Sequence, residues 1–198
     1  EREGKTVVIL VSTKRAQALI AVADTIKDSS RSAIGELHAL GINTMMLTGD
    51  NPHTAQAIAT QAGIDRAQGN LLPEDKLREV EQLAQTGKVG MVGDGINDAP
   101  ALARADIGFA MGATGTDTAI ETADVALMDD DLRKIPTFVR LSRATAQVLM
   151  QNIVLALGIK AVFLVLTFTG HATMWMAVFA DMGASLLVVG NGLRLLRR

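Results

Sequence analysis

Apolar positions fall into two regimes along this chain. Up to Arg143 they come in short runs separated by charged and glycine-rich segments, whereas from Ala144 to Leu193 they are nearly continuous. In the first regime Thr6 to Val11 is a β-branched run, and Ala18 to Ala23 follows after the polar Ser-Thr-Lys-Arg, so two short strands joined by a turn are predicted. Asp24 to Arg31 is polar and suited to capping a helix over Ser32 to Leu40, where Ala33, Ile34, Leu37 and Leu40 recur at helical spacing before Gly41 stops it. Ile42 to Leu47 reads as a buried strand ending in Thr48-Gly49-Asp50-Asn51-Pro52, with an Ala/Ile-patterned helix running on to Gly63. Leu72-Pro73-Glu74-Asp75-Lys76 places proline at a helix start with acids in the first turn. Val89 to Ala101 then repeats the earlier pattern: an apolar strand, a tight Gly93-Asp94-Gly95 loop and a helix start marked by Pro100.

Strand, polar glycine loop and helix thus occur twice. That repetition predicts a parallel sheet with right-handed crossovers, a doubly wound α/β domain whose ligand loops lie at the carboxyl ends of strands. Ile107 to Ala110 and Val125 to Met128 are two further predicted strands, separated by the Gly/Thr-rich Met111 to Thr118 and a short helix to Ala123. Asp129-Asp130-Asp131 reads most simply as an N-cap for a helix beginning near Leu132, with a surface cation site as the alternative.

The second regime is of a different kind. Val148 to Thr169 and His171 to Gly192 are each long enough to cross a hydrocarbon core of roughly 30 Å, so a transmembrane α-helical hairpin in a lipid bilayer is predicted, turning at Gly170. Arg133, Lys134, Arg140 and Arg143 precede the first span, and Arg194, Arg197 and Arg198 follow the second. The hairpin tip carries no Lys or Arg, which puts both ends and the α/β part in the cytoplasm of a multi-pass plasma (bacterial inner) membrane protein. Only Lys160 and Asp181 are charged within 144–193. Counted from the turn, at roughly 1.5 Å per residue, they reach nearly the same depth and are expected to meet near the bilayer centre. An unpaired charge there costs several kcal/mol, so an ion pair is the minimal explanation and an ion pathway the functional one.

Composition adds little beyond this division. The chain has 198 residues, 48% of them hydrophobic, and its net charge of −2 says nothing about partners; no nucleic acid is expected among them. It contains no cysteine, which removes thiolate metal chemistry. The opening Glu-Arg-Glu-Gly-Lys has neither an initiating Met nor a signal-peptide pattern, and the chain is expected to be an interior piece of a longer protein.

Candidate chemistry sits in the loops. Asp94 and Asp98, four residues apart and flanked by glycines that let backbone approach a ligand, can hold a hard cation such as Mg2+. Thr48 and the free amides beyond it suit phosphate oxygens, although Thr-Gly-Asp alone equally describes a hydroxyl-capped turn. Lys76 is either a surface charge or a partner for a phosphoryl group. His38 reads as an ordinary surface histidine.

The order Thr48-Gly49-Asp50, Lys76, Gly93-Asp94-Gly95-Ile96-Asn97-Asp98 resembles the phosphoryl site of the P-type ATPases, cation pumps with a haloacid-dehalogenase-like phosphorylation domain, and Gly93 to Leu102 resembles their hinge motif. Lys160 together with Asp181-Met182-Gly183 resembles the zinc-, cadmium- and lead-exporting branch, whereas copper exporters carry Asn/Tyr and Met/Ser positions here. The resemblance implies the end of a nucleotide-binding domain in residues 1–23, the second part of the phosphorylation domain in 24–140 and two membrane helices in 141–198. It implies that ATP phosphorylates an aspartate, with Mg2+ held by Asp94, the site tuned by Asp98, and Thr48, Gly49, Asp50, Lys76 and Asn97 in the catalytic set. Asp181 would bind the transported Zn2+, Cd2+ or Pb2+, with Lys160 as its counter-ion. Met174, Met176 and Met182 are read as packing residues rather than soft ligands. The family's Asp-Lys-Thr-Gly-Thr, Cys-Pro-Cys and Thr-Gly-Glu do not occur in these residues. The piece alone is therefore expected to be inactive, with the pump's remaining domains and helices as its partners. A membrane-anchored phosphatase of the same fold, or a pump for copper or another cation, is the alternative.

Overall fold

The computed structural model describes residues 6–12, 15–22, 26–112 and 117–197, and it divides into two compact units, Glu1–Pro136 and Thr137–Arg198. In the first unit β1 (Thr6–Ser12) and β2 (Arg15–Val22) pair antiparallel, as the β-branched run and the apolar stretch after it predict; the predicted strand end at Ala23 lies outside the described residues. Helix α1 (Asp28–Ala39) starts four residues before the predicted Ser32, because the polar segment that was expected only to cap it joins the helix with Asp28 in its first turn.

Two strand-loop-helix units follow. β3 (Met45–Leu47) leads through the Thr48 loop into α2 (Pro52–Ala62), whose start is built from Pro52 in the first turn and Asn51, its side-chain oxygen accepting from Thr54 N at 2.9 Å. Gly63 ends the helix at φ 80°, a left-handed conformation that glycine adopts without strain. The chain then forms β4 (Arg66–Gln68), parallel to β3, a strand too short and polar to be visible in the hydrophobic pattern. Helix α3 (Pro73–Thr86) begins as its sequence predicts, with Asp75 Oδ2 accepting from Leu72 N at 3.0 Å. β5 (Gly90–Gly93), α4 (Ala99–Arg104), β6 (Ile107–Met111), α5 (Asp117–Thr122) and β7 (Val125–Leu127) complete the layer. Within the predicted Met111 to Thr118 connection, 113–116 lie outside the described residues. The strands are parallel, as expected, but hydrogen-bond as two groups, β3–β4 and β5–β6–β7.

Leu102 and Ala110 pack with Met91, Ile120 and Ala123 on one side of β6. Phe109, Leu127 and Ile135 form a second cluster with Leu37 and Leu132. Alternation along β6 thus sends Phe109 and Ala110 to opposite faces, which is how a strand covered on both sides is buried.

Polar latches tie the loops far from the ligand ends. Asp65 Oδ2 accepts from Thr44 N at 2.7 Å, Thr44 Oγ1 at 2.9 Å and His38 Nε2 at 3.0 Å. These bonds, the Thr44 amide first, hold its carboxyl below the usual range, and His38 acquires a structural partner rather than a catalytic one. Asp131 is held lower still, to about 2, by the Arg133 guanidinium and then the Arg133 amide. A carboxylate whose folded pKa is depressed adds stability above its ordinary value of 3.8 and loses it as pH falls through the folded value. Asp131→Ala should therefore lower the melting temperature of the solubilised protein at pH 6, and its curve should converge on the parent's below about pH 2. A constant offset down to pH 2 would show that the ionisation of Asp131 contributes nothing to stability.

In the second unit α6 (Lys134–Phe168) is one continuous 35-residue helix, merging the helix predicted near Leu132 with the first span. At roughly 1.5 Å per residue it is longer than any hydrocarbon core requires, and its charged amino-terminal part extends beyond the apolar stretch. Gly170 at φ 75° turns the chain, Thr173 Oγ1 accepts from Met176 N at 3.3 Å, and α7 (Met174–Gly192) returns. Both helices are long and apolar enough to cross a membrane.

Candidate active site

The site is built where β5 ends. Gly93 is buried beside Asp98, and a Cβ at position 93 would stand 2.6 Å from the Asp98 Cβ and 3.1 Å from its Oδ2. Only a residue without that atom lets the loop fold back over the strand end. Asp98 N donates to Gly95 O at 3.0 Å, closing a turn over Ile96–Asp98 that feeds α4. The turn aims the Asp98 carboxylate at α3: Lys76 Nζ donates to Asp98 Oδ1 at 2.7 Å, with the two side chains only 16% and 13% exposed. A lysine in the first turn of a solvated helix would be far more open, so this ammonium is positioned.

The two carboxylates of the loop therefore do different things. Asp98 is committed to Lys76, whereas Asp94 is exposed and carries no hydrogen bond among the described residues. Asn97, in the turn between them, is also exposed.

The Thr48 loop ends β3. Thr48 Oγ1 donates to Asp50 Oδ2 at 2.9 Å and accepts from Asp50 N at 3.1 Å, which is the hydroxyl-capped turn that Thr-Gly-Asp describes. Leu71 N donates to Thr48 O at 3.0 Å and Asn70 N to Asp50 O at 2.6 Å, so the segment that launches α3 is fastened to this loop. Thr48, Gly49, Asp50, Lys76 and Asp98 are thereby linked in one chain of contacts, although they come from three separate stretches of sequence.

The membrane charges differ from expectation. Lys160 and Asp181 are both exposed on their helices, and among the described residues no ion pair joins them. Equal depth follows from counting residues along each helix, but facing one another depends on helix rotation, which depth does not determine. Between the same helices the structure instead shows amide contacts of Gln151, Asn152 and Asn191, residues the sequence reading passed over. Their signal was available: uncharged amides inside apolar spans are expensive unless they find partners.

Parallel strands with motif loops at their carboxyl ends, followed by two helices long and apolar enough to cross a membrane, make the class a parallel α/β domain carrying an apolar helical hairpin. The chain belongs to the haloacid dehalogenase-like hydrolase family, whose model matches residues 1–106. It is 55% identical over 197 residues to a probable cadmium-transporting ATPase of Listeria monocytogenes, covering 98% of this chain and 28% of that protein. It is 50% identical over 198 residues to the zinc/cadmium/lead-transporting P-type ATPase of Escherichia coli K12, covering 100% of this chain and 27% of that protein. The crystal structure of a zinc-transporting PIB-type ATPase in the E2.Pi state superposes with a TM-score of 0.90 at 49% identity, covering 98% of this chain and 32% of that one. The resemblance to the zinc- and cadmium-exporting branch thus extends over the whole chain, which spans between a quarter and a third of the length of these relatives.

Proposed function

We propose that the chain is part of an ATP-driven P-type pump that exports Zn2+, and also Cd2+ and Pb2+, across the bacterial inner membrane through an aspartyl-phosphate intermediate. The observation that carries this reading is the Lys76–Asp98 ion pair, 2.7 Å long and largely shielded, set beside the exposed Asp94 at the carboxyl end of β5. In the complete pump the γ-phosphoryl group of ATP passes to a carboxylate oxygen supplied by another part of the protein as the bond to the β-phosphate oxygen breaks and ADP leaves. Water later cleaves the acyl phosphate and releases inorganic phosphate. Such transfers are mostly positioning and electrostatics.

The residues of this chain divide that work. Lys76, its direction set by Asp98, places a positive charge against the transferring oxygens, and the Thr48 loop offers backbone amides to the same group, with the Thr48 hydroxyl exchanging Asp50 Oδ2 for a phosphate oxygen. Asp94 is the residue fitted to hold Mg2+, because its carboxylate is exposed and unengaged and Mg2+ typically takes one or two carboxylates, with waters and phosphate oxygens completing its shell. Bound Mg2+ would neutralise phosphate charge. The α/β part and both ends of the hairpin lie in the cytoplasm, where ATP is, and the apolar helices meet lipid and the pump's other helices.

Lys76→Ala in the complete pump is expected to lower phosphoenzyme formation by about 10²- to 10³-fold, the usual effect of removing one charge-stabilising donor. It also leaves Asp98 without its partner, so Lys76→Arg, which keeps a charge there, should recover part of the loss. The measurement is acid-stable labelling from radioactive ATP with Zn2+ present. Unchanged labelling would return Lys76 to a surface role, and metal-independent hydrolysis of a soluble phosphate ester would favour the membrane-anchored phosphatase.

A further inference from the structure

His38, Thr44 and Asp65 bring three donor atoms together at one corner of the α/β unit, from the last turn of α1, the residue before β3 and the residue before β4. Thr44 Oγ1 and Asp65 Oδ2 stand 2.9 Å apart, and His38 Nε2 lies 3.0 Å from the carboxylate oxygen and 3.1 Å from the hydroxyl. The tie between Thr44 and Asp65 is complete without the histidine: Thr44 N donates to Asp65 Oδ2 at 2.7 Å, and Asp65 N donates to Thr44 Oγ1 at 3.2 Å. What His38 adds is a ring nitrogen facing the gap between two oxygens, where its one proton is shared by both.

A position that holds a proton between a nitrogen and two oxygens also suits a metal cation that accepts the same mixed donors. Imidazole nitrogen beside carboxylate and hydroxyl oxygen favours Zn2+ over Mg2+ or Ca2+, which take shells of oxygen. A tetrahedral zinc with bonds of about 2.0–2.2 Å keeps its ligands roughly 3.4 Å apart, so the three atoms need to open by only a few tenths of an ångström. The Thr44 amide orients the carboxylate, as the outer partners of metal ligands do, and keeps it ionised. The His38 and Asp65 side chains are 36% and 43% exposed, which admits an ion from solvent and leaves room for water in the fourth position.

We propose that His38 Nε2, Asp65 Oδ2 and Thr44 Oγ1 form an accessory Zn2+ site, which ties the end of α1 to the starts of β3 and β4 when the free ion is abundant. It lies at the amino end of β3, four residues before Thr48 and roughly 13 Å away along an extended strand, so it is separate from the phosphoryl loop at the carboxyl end. The inference stands apart from the pump reading, because none of its residues belongs to the phosphoryl site or to the apolar helices. One imidazole, one carboxylate and one neutral hydroxyl make a weaker set than three imidazoles or thiolates, and among the described residues no His, Asp or Glu joins them as a third strong ligand. The site therefore exchanges zinc with solvent rather than holding it permanently.

The test follows each histidine of the complete protein separately, by its rate of carbethoxylation with diethyl pyrocarbonate, read by mass spectrometry with Zn2+ as the probe. At about pH 7.5 the imidazoles are largely neutral and open to both the reagent and the metal. With Zn2+ at about ten times the dissociation constant, roughly one site in eleven stays free, so labelling of His38 should slow about 10-fold. His53, exposed on α2, should keep its rate, and Mg2+ at the same concentration should leave His38 unchanged. Asp65→Asn retains an oxygen for the Thr44 amide and hydroxyl, so the corner stays closed, but it lacks the ligand's charge and should lose the zinc protection. An unchanged His38 rate up to about 1 mM Zn2+, where binding is already weak, would overturn the site. Equal slowing by Mg2+, slowing of His53 alongside His38, or protection that survives in Asp65→Asn would overturn it as well. The parental measurement needs no substitution, so the first three results decide the matter even if Asp65→Asn fails to fold.

Discussion

Asp94→Asn in the complete pump is expected to abolish phosphoenzyme formation from ATP while leaving the fold intact. The side chain is exposed and unbonded among the described residues, so an isosteric amide disturbs no packing and removes no contact within the domain. What it removes is one formal negative charge at the carboxyl end of β5, where Mg2+ and phosphate oxygens would meet. Losing an outer partner of a metal ligand already costs about 10- to 100-fold, so loss of the ligand's own charge should lower labelling by at least about 100-fold at physiological Mg2+. The melting temperature should stay within a degree or so, since surface changes of this kind sit near zero in stability. Normal labelling at saturating Mg2+ would remove Asp94 from the site. Partial recovery as Mg2+ is raised would place the defect in metal affinity. Asp98→Asn supplies the contrast: it weakens the bond that aims Lys76 and touches a buried group, so its loss should not respond to Mg2+.

How much of this was legible beforehand depended on whether a feature is local. Gly63, Pro52 and Pro73 mark helix ends through backbone geometry that a few neighbouring residues decide, and the helices begin and end there. β4 was invisible because Arg66, Ala67 and Gln68 have no apolar pattern; the strand exists because β3 lies alongside it. The unbroken course of α6 was hidden by its change of composition near Ala144, yet a helix satisfies its own backbone on both sides of such a change. In the candidate site the three motifs could be ordered along the chain, but not the division of labour between Asp94 and Asp98. That division depends on Lys76 arriving from another helix. That Lys160 and Asp181 form no ion pair among the described residues is a matter of helix rotation and separation, which depth along each helix does not reveal.

Asp181→Ala should eliminate Zn2+-stimulated ATPase and Zn2+ binding together. Zn2+ accepts carboxylate oxygen as a ligand, and Asp181 is the only carboxylate within 144–193. Its exposure on α7, with no ion pair to Lys160, leaves that oxygen available to an ion bound between this hairpin and the pump's other helices. Lys160 cannot ligate, because an ammonium has no lone pair, but in the proposed site its charge at a similar depth would oppose a bound cation and compensate the carboxylate when the site is empty. The two substitutions should therefore part company. Asp181→Ala removes the ligand, so metal per protein falls and ATPase no longer rises with Zn2+ at any concentration. Lys160→Ala removes the opposing charge, so Zn2+ is bound at least as tightly while turnover slows at release. Equilibrium metal content and metal-dependent ATPase, measured on both variants of the complete pump, separate these outcomes. If Asp181→Ala binds and transports Zn2+ like the parent, the membrane charges are structural and the ion passes elsewhere.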